Sequence, residues 1–295
     1  VGGGAVVTAD VLNLRGGPGT ENPIVDELAS GTALHLLAGP VNDVWWRVTD
    51  GQVVGYVNGD WLAPGTAPPD SAFDIDLALP VHRQMTPIWC DPADLQSWVE
   101  LDQGQSLGDQ TAVQQKFWDW ELSHNDGFTE AQWDASPYAV ASAAHHWLPD
   151  RGFNHFIYDD PVNATVTAAW VLANPADHEP SIANIWWGDH YVVLRGVRAT
   201  ADPFAAYPQA KILGVYIMDP NQGRPSWMGQ DRYISIDAWV TRYLTPVSYL
   251  TPGSGVPGDV WQGKYVIIQR DWTNDGPSPS GRVNASPANY LGTGN

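Results

Sequence analysis

Gln84-Met85-Thr86-Pro87-Ile88-Trp89-Cys90-Asp91-Pro92-Ala93 contains the only cysteine of the chain, and its reading decides the fold. Leu95, Trp98, Val99 and Leu101 follow at helical spacing, so Cys90 stands where a helix begins, with Pro92 just inside it. A thiol at that position meets unpaired N–H groups and the positive end of the helix dipole, and both favour the thiolate. One cysteine allows no disulfide within the chain, and a lone thiol is either a buried apolar residue or a reactive one. A reactive thiol needs a base, a group that orients the base, and donors for an oxyanion. Gln84, six residues upstream on an extended entry segment, is placed to offer its amide as one donor, with the Cys90 N–H as the second.

The base is expected on a distant strand facing the helix. Gly188-Asp189-His190-Tyr191-Val192-Val193-Leu194-Arg195-Gly196 sets a histidine at the head of a β-rich run. Val215-Tyr216-Ile217-Met218-Asp219-Pro220 ends the next strand on a carboxylate. Antiparallel neighbours would bring Asp219 within hydrogen-bonding reach of the His190 imidazole.

Gln-x5-Cys, Gly-x-His-Tyr-Val-Val and apolar-x-Asp-Pro occur in this order, each on a suitable element. Together they resemble papain-like cysteine peptidases of the branch related to bacteriocin leader peptidases (the family 39-like group), over residues 78–271. The resemblance implies Cys90 as nucleophile, His190 as base, Asp219 as orienting acid and Gln84 as oxyanion donor. It implies peptide hydrolysis through a thioester with no cofactor and no metal. The chain departs from the pattern at Asp91 and Asp189, where the family commonly carries glycine. A carboxylate beside the thiol disfavours thiolate, and Asp189 competes with Asp219 for the imidazole. Both are candidate binding residues, together with Trp89 beside the thiol.

Residues 5–62 have a different texture. Short β-type runs alternate with turns at Gly16-Gly17-Pro18-Gly19, Ser30-Gly31, Asn42-Asp43 and Asp50-Gly51, a pattern that suggests a small barrel. Leu12-Asn13-Leu14-Arg15-Gly16-Gly17-Pro18, Leu28-Ala29-Ser30-Gly31-Thr32, Trp46-Arg47-Val48 and Gly55-Tyr56-Val57 resemble, in order, the landmarks of bacterial SH3 domains. That resemblance implies a module that targets an enzyme to cell-wall material or binds its substrate. Trp45 and Trp61 either form an aromatic platform for such a ligand or fill the barrel core.

The expected fold class is therefore α+β: a small N-terminal SH3-like β-barrel plus a papain-like domain with N-terminal helices packed on an antiparallel sheet. The expected divisions are a barrel over 1–64, a linker over 65–76, a papain-like domain over 77–272 and an extended tail over 273–295. Helices are expected over 111–122, 137–147 and 165–172. Strands are expected over 182–187, 191–197, 212–218, 233–236 and 264–269.

Composition narrows the partners. A net charge of −19 repels nucleic acid and anionic membrane surfaces. Apolar windows fall short of the roughly 18–20 residues that span a bilayer. The scarcity of lysine beside 16 Trp, 24 Pro and 29 Gly reads as extracellular or cell-surface. The start at Val1-Gly2-Gly3-Gly4 reads as an exported form whose leader is absent. The expected function is a secreted or surface-associated cysteine peptidase acting on peptide or protein, with the front domain directing it to cell-envelope material. One alternative keeps the fold without the chemistry, as a surface binding or assembly protein that self-associates through its termini. A peptidoglycan hydrolase is a second alternative, although such enzymes usually show Asp-Cys-Ser where this chain has Trp89-Cys90-Asp91.

Overall fold

Turn chemistry and a period-2 pattern shape the front of the chain. The computed structural model describes residues 3–50, 53–66, 73–125, 127–149, 152–221, 232–248, 260–271 and 283–284. Strands β1 (Gly4–Val7), β2 (Val11–Arg15), β3 (Ile24–Ala29), β4 (Ala33–Val41), β5 (Trp45–Thr49), β6 (Val54–Asn58) and β7 (Leu62–Gly65) form one seven-stranded sheet. Its order is β3-β2-β6-β5-β4-β1-β7. Alternate residues turn inward, so that Val7, Leu12, Leu14, Leu28, Leu34, Val48 and Val57 form one core. Arg15 ties down the Gly-Pro turn by donating from Nη1 to Thr20 O at 2.8 Å and Asn22 O at 2.7 Å. Neither Trp45 nor Trp61 joins the buried core; Trp61 is 51% exposed, and it is Trp46 that packs against the core.

The remainder is built on a second, eight-stranded sheet. Its elements are β8 (Phe73–Asp76), α1 (Cys90–Gln103), α2 (Gln110–Ser123), α3 (Pro137–Trp147), β9 (Phe153–Tyr158), α4 (Pro161–Ala173), β10 (Ser181–Ile185), β11 (His190–Ala199), β12 (Ile212–Met218), β13 (Arg232–Ser235), β14 (Tyr265–Arg270) and β15 (Val283–Asn284). The order is β13-β12-β11-β10-β14-β9-β15, with β8 on β11 beyond the end of β10. Every described pairing in it is antiparallel. Helices α1 to α3 cover one face and α4 the other, so the strands are buried on both sides. Val193 points to the first layer, and Val192 and Leu194 to the second. That explains the nearly continuous apolar runs of β10 to β12.

Local signals account for the helix starts. Ser136 caps α3 by accepting the Ala139 N–H at 3.3 Å, with Pro137 in the first turn. Asp160 caps α4 through Asn163 N at 2.8 Å, and Asp109 caps α2 through Ala112 N at 2.9 Å. Helix α1 has no side-chain cap and ends at Gly104 in the left-handed region, φ 63°. It is buried from Cys90 to Glu100, a central helix with no solvent face until its last turn.

Several elements lie outside the sequence reading. Strand β9 was unforeseen, and it lies between α3 and α4. Within residues 65–76, Gly65 belongs to β7 and Phe73–Asp76 form β8, whereas 67–72 lie outside the described residues, as do Trp227 and most of the tail. Of the tail, Val283 and Asn284 pair with Ile157 and Phe156 of β9. The barrel meets the second sheet at β13 and the helical turn after it: Arg242 donates to Asp10 O, and Ala29 of β3 packs in the same cluster as Ala238 and Trp239.

Gly196 of β11 shows how closely β8 is held. A Cβ there would lie 2.5 Å from Ile75 O and 2.8 Å from Tyr216 Cδ2. Gly196→Ala is expected to cost about 1–3 kcal/mol in a denaturant melt. An unchanged melt would mean that β8 does not depend on this contact.

Candidate active site

The antiparallel register assembles the site. Ile185 of β10 pairs with His190 of β11, and Val193 of β11 pairs with Met218 of β12. Asp219, one residue past Met218, therefore lies level with the head of β11. His190 Nε2 and Asp219 Oδ1 are 2.9 Å apart, both buried. Asn221 N donates to the same Oδ1 at 2.9 Å. Burial pushes the Asp219 carboxyl up, but the hydrogen bond and charge of His190, the Asn221 N–H and the Arg232 guanidinium outweigh it and hold the group below the usual range. With Nε2 engaged by Asp219, Nδ1 is the ring atom left to work on the cleft.

Trp186 stacks on the imidazole, ring centroids 5.2 Å apart and planes at 16°. Trp186 and Trp187 are both left-handed, φ 51° and 64°, in the turn between β10 and β11. Such backbone is uncommon for bulky residues and persists only where surroundings enforce it. Here Trp187 N donates to Thr245 Oγ1 at 2.6 Å and Ser248 N to Trp187 O at 2.9 Å.

Cys90 opens α1 and is 8% exposed. Cys90, His190, Gln84 and Asp189 all line one cavity of about 590 Å³, with Met85, Ile88, Trp133, Trp186, Tyr191 and Asn221 among its other walls. Asp219 stands behind His190. Trp89 does not line the cavity and packs into the core 6.3 Å from Trp118, while Trp45 and Trp61 stay with the barrel. Gln84 is held at both ends: its backbone N donates to Pro220 O at 2.8 Å, and its Nε2 donates to Thr86 O at 2.8 Å. That bond fixes the amide orientation and uses one of the two Nε2 hydrogens. Gln114 of α2 braces the same segment, accepting Met85 N at 2.9 Å and donating to Arg83 O at 3.0 Å. Sequence reasoning missed Gln114, but it stands with Phe117, Trp118 and Glu121 at i, i+3, i+4, i+7 on the buried face, and a polar residue on such a face is a usable signal.

A group of acids lies under the thiol. The Cys90 thiol points at Asp91 Oδ1, 3.6 Å away. Asp91, Asp94 and Glu121 are at most 1% exposed. Burial drives the Cys90 thiol well above its ordinary value, with Asp91, Asp134 and Asp94 adding to it and the Tyr191 N–H opposing. Burial likewise lifts Asp91 to about 7, while Asp94 and Glu121 go up strongly. Close carboxyls without a counter-charge cannot all ionise, so the cluster carries protons at neutral pH. No group of three or more His, Cys, Asp or Glu suited to a metal ion occurs among the described residues. No helix among them is long and apolar enough to cross a membrane.

Residues 10–63, which make up most of the front sheet, match the bacterial SH3 domain family. Among solved structures, the chain is similar to a double glycine motif protease from an AMS/PCAT transporter, solved in complex with the leader peptide. The identity is 16% and the TM-score 0.36, with 66% of this chain and 94% of that chain covered. A search of curated proteins finds no match.

Asp91 links the thiol to pH. Its folded value of about 7 lies above its ordinary 3.8, so across that interval the folded chain holds more protons than the unfolded one. The stabilisation is complete below the lower value and is lost as pH rises through the upper one. Asp91→Asn is expected to flatten this fall in denaturant melts and to speed iodoacetamide reaction at Cys90 near neutrality by about tenfold, one pKa unit. A variant with the wild-type slope and alkylation rate would show that Asp91 does not restrain the thiol.

Proposed function

We propose that the chain is a papain-like cysteine peptidase in which Cys90 attacks a peptide carbonyl. The observation that carries the reading is the 2.9 Å hydrogen bond from His190 Nε2 to Asp219, behind an imidazole that shares a cavity wall with the thiol. In this reading Nδ1 of His190 takes the thiol proton and Sγ adds to the carbonyl carbon. The oxyanion meets the free Nε2 hydrogen of Gln84 and the Cys90 N–H. Collapse of the adduct breaks the C–N bond, and the imidazolium returns its proton to the leaving amine. Water, deprotonated by His190, then hydrolyses the thioester. Asp219 keeps the imidazole oriented and stabilises its charged form. The SH3 domain would hold the enzyme on cell-envelope material outside the cell.

One observation favours a second reading. The carboxyl at Asp91 and the buried thiol oppose ionisation, which suits a papain-like cleft that binds peptides without cutting them. Alkylation separates the two. For a peptidase, His190→Ala slows iodoacetamide reaction at Cys90 sharply, and Cys90→Ala and His190→Ala each lower peptide cleavage by about a thousandfold or more. A thiol reacting slowly and identically with and without His190 would favour the binding protein.

A further inference from the structure

The cavity walls differ in charge from an ordinary peptide cleft. Asp134 and Asp189 both line it, and among the described residues no lysine or arginine does. Asp189 is exposed and Asp134 half-buried. Asp134 Oδ1 accepts the Ala135 N–H at 3.1 Å, which orients the carboxylate on its loop. No hydrogen bond or ion pair engages the Asp189 carboxylate among the described residues. The two acids feel each other: burial first, with the Asp189 and Glu130 charges adding to it, holds Asp134 above the usual carboxylate range. Gln84 lines the same cavity. Gln84 is 3% exposed, and its Oε1 is buried without a hydrogen-bond partner, its identity fixed by the Nε2 bond to Thr86. The described part of the wall thus carries two carboxylates and no lysine or arginine. Around it stand apolar surfaces: Trp133 and Trp186 inside, and Met85 and Ile88 at the rim, 42% and 38% exposed.

We propose that this cleft selects peptides with an arginine or lysine side chain next to the attacked bond, its charged head between Asp134 and Asp189 and its aliphatic stem along the indoles. The inference rests on the peptidase reading for the word "attacked", but the binding preference stands without it. A long basic side chain lays its methylenes on apolar surface while its head reaches polar groups. A guanidinium also gains from an indole face. A cation between the two carboxylates offsets their mutual repulsion, whereas a glutamate would add a third like charge. The cavity volume of about 590 Å³ accommodates such a side chain together with the flanking backbone.

The test uses the full chain. Alanine–glycine hexapeptides carrying one arginine, norleucine or glutamate, walked along the sequence, are titrated into the Cys90→Ala variant by fluorescence anisotropy at low and high salt. The best arginine peptide is expected to bind about tenfold tighter than its norleucine twin at low salt, with the advantage shrinking at high salt. It should fall in Asp189→Asn, whose exposed position spares folding, and disappear in Asp134→Asn/Asp189→Asn. Equal binding of arginine and norleucine peptides, or a preference that survives the double substitution, overturns the proposal. In parallel, wild type is treated with chloromethyl ketones of the same peptides. Absence of labelling at Cys90 alongside an arginine preference in binding counts against the peptidase reading alone; labelling with no arginine preference overturns the proposal alone.

Discussion

The antiparallel pairing of β11 with β10 and β12 is the constraint on which the site depends. It sets His190 at the mouth of the turn after β10 and Asp219 one residue past β12, at 2.9 Å from the ring. Because side chains alternate along a strand, a one-residue slip would turn both groups to the opposite face and separate them. The same register puts Gln84 in place, since its backbone is bonded to Pro220 in the loop that carries Asp219. The Gln84 segment, the imidazole and its carboxylate are therefore one mechanical unit.

Against that unit the protein sets a central helix with little freedom. Helix α1 is buried on all sides for eleven residues, so its N-terminal thiol cannot shift without disturbing both the sheet and α2. The burial that positions Cys90 also deprives it of water and surrounds it with Asp91, Asp94 and Glu121. Position and ionisation are in conflict: the helix terminus favours thiolate, while desolvation and like charge favour thiol. Asp91 is the hinge of that conflict, since it touches the thiol directly and titrates near neutrality.

The front sheet is attached next to this site. Its acids Asp26 and Glu27 feel the charge of Arg232 on β13, and the same guanidinium helps hold the Asp219 carboxyl low. Arg232 also donates to Tyr243 OH at 2.9 Å. The front sheet is thus electrostatically coupled to the edge of the sheet that bears Asp219.

Much of this was legible from residues alone. Capping signals at Ser136-Pro137, the run Ile212–Met218, and the Gly-Pro turn after Arg15 act over a few residues, and local chemistry suffices to read them. The residue types at Cys90, His190, Asp219 and Gln84 were likewise visible, because a thiol at a helix start and a histidine at a strand head are short-range patterns. Tertiary structure alone decided the rest. Strand β9 carries Asn154 and His155 amid apolar residues, and only sheet pairing on both edges makes all six positions interior. The fates of Trp89, Trp45 and Trp61, and the gathering of Asp91, Asp94 and Glu121 into one dry cluster, likewise depend on which distant segments pack together. Burial sets the charge of a carboxyl, and burial is a property of the packed chain. The sequence by itself therefore determined which groups are available and on what elements, and only the tertiary structure decided which of them meet and in what state of charge.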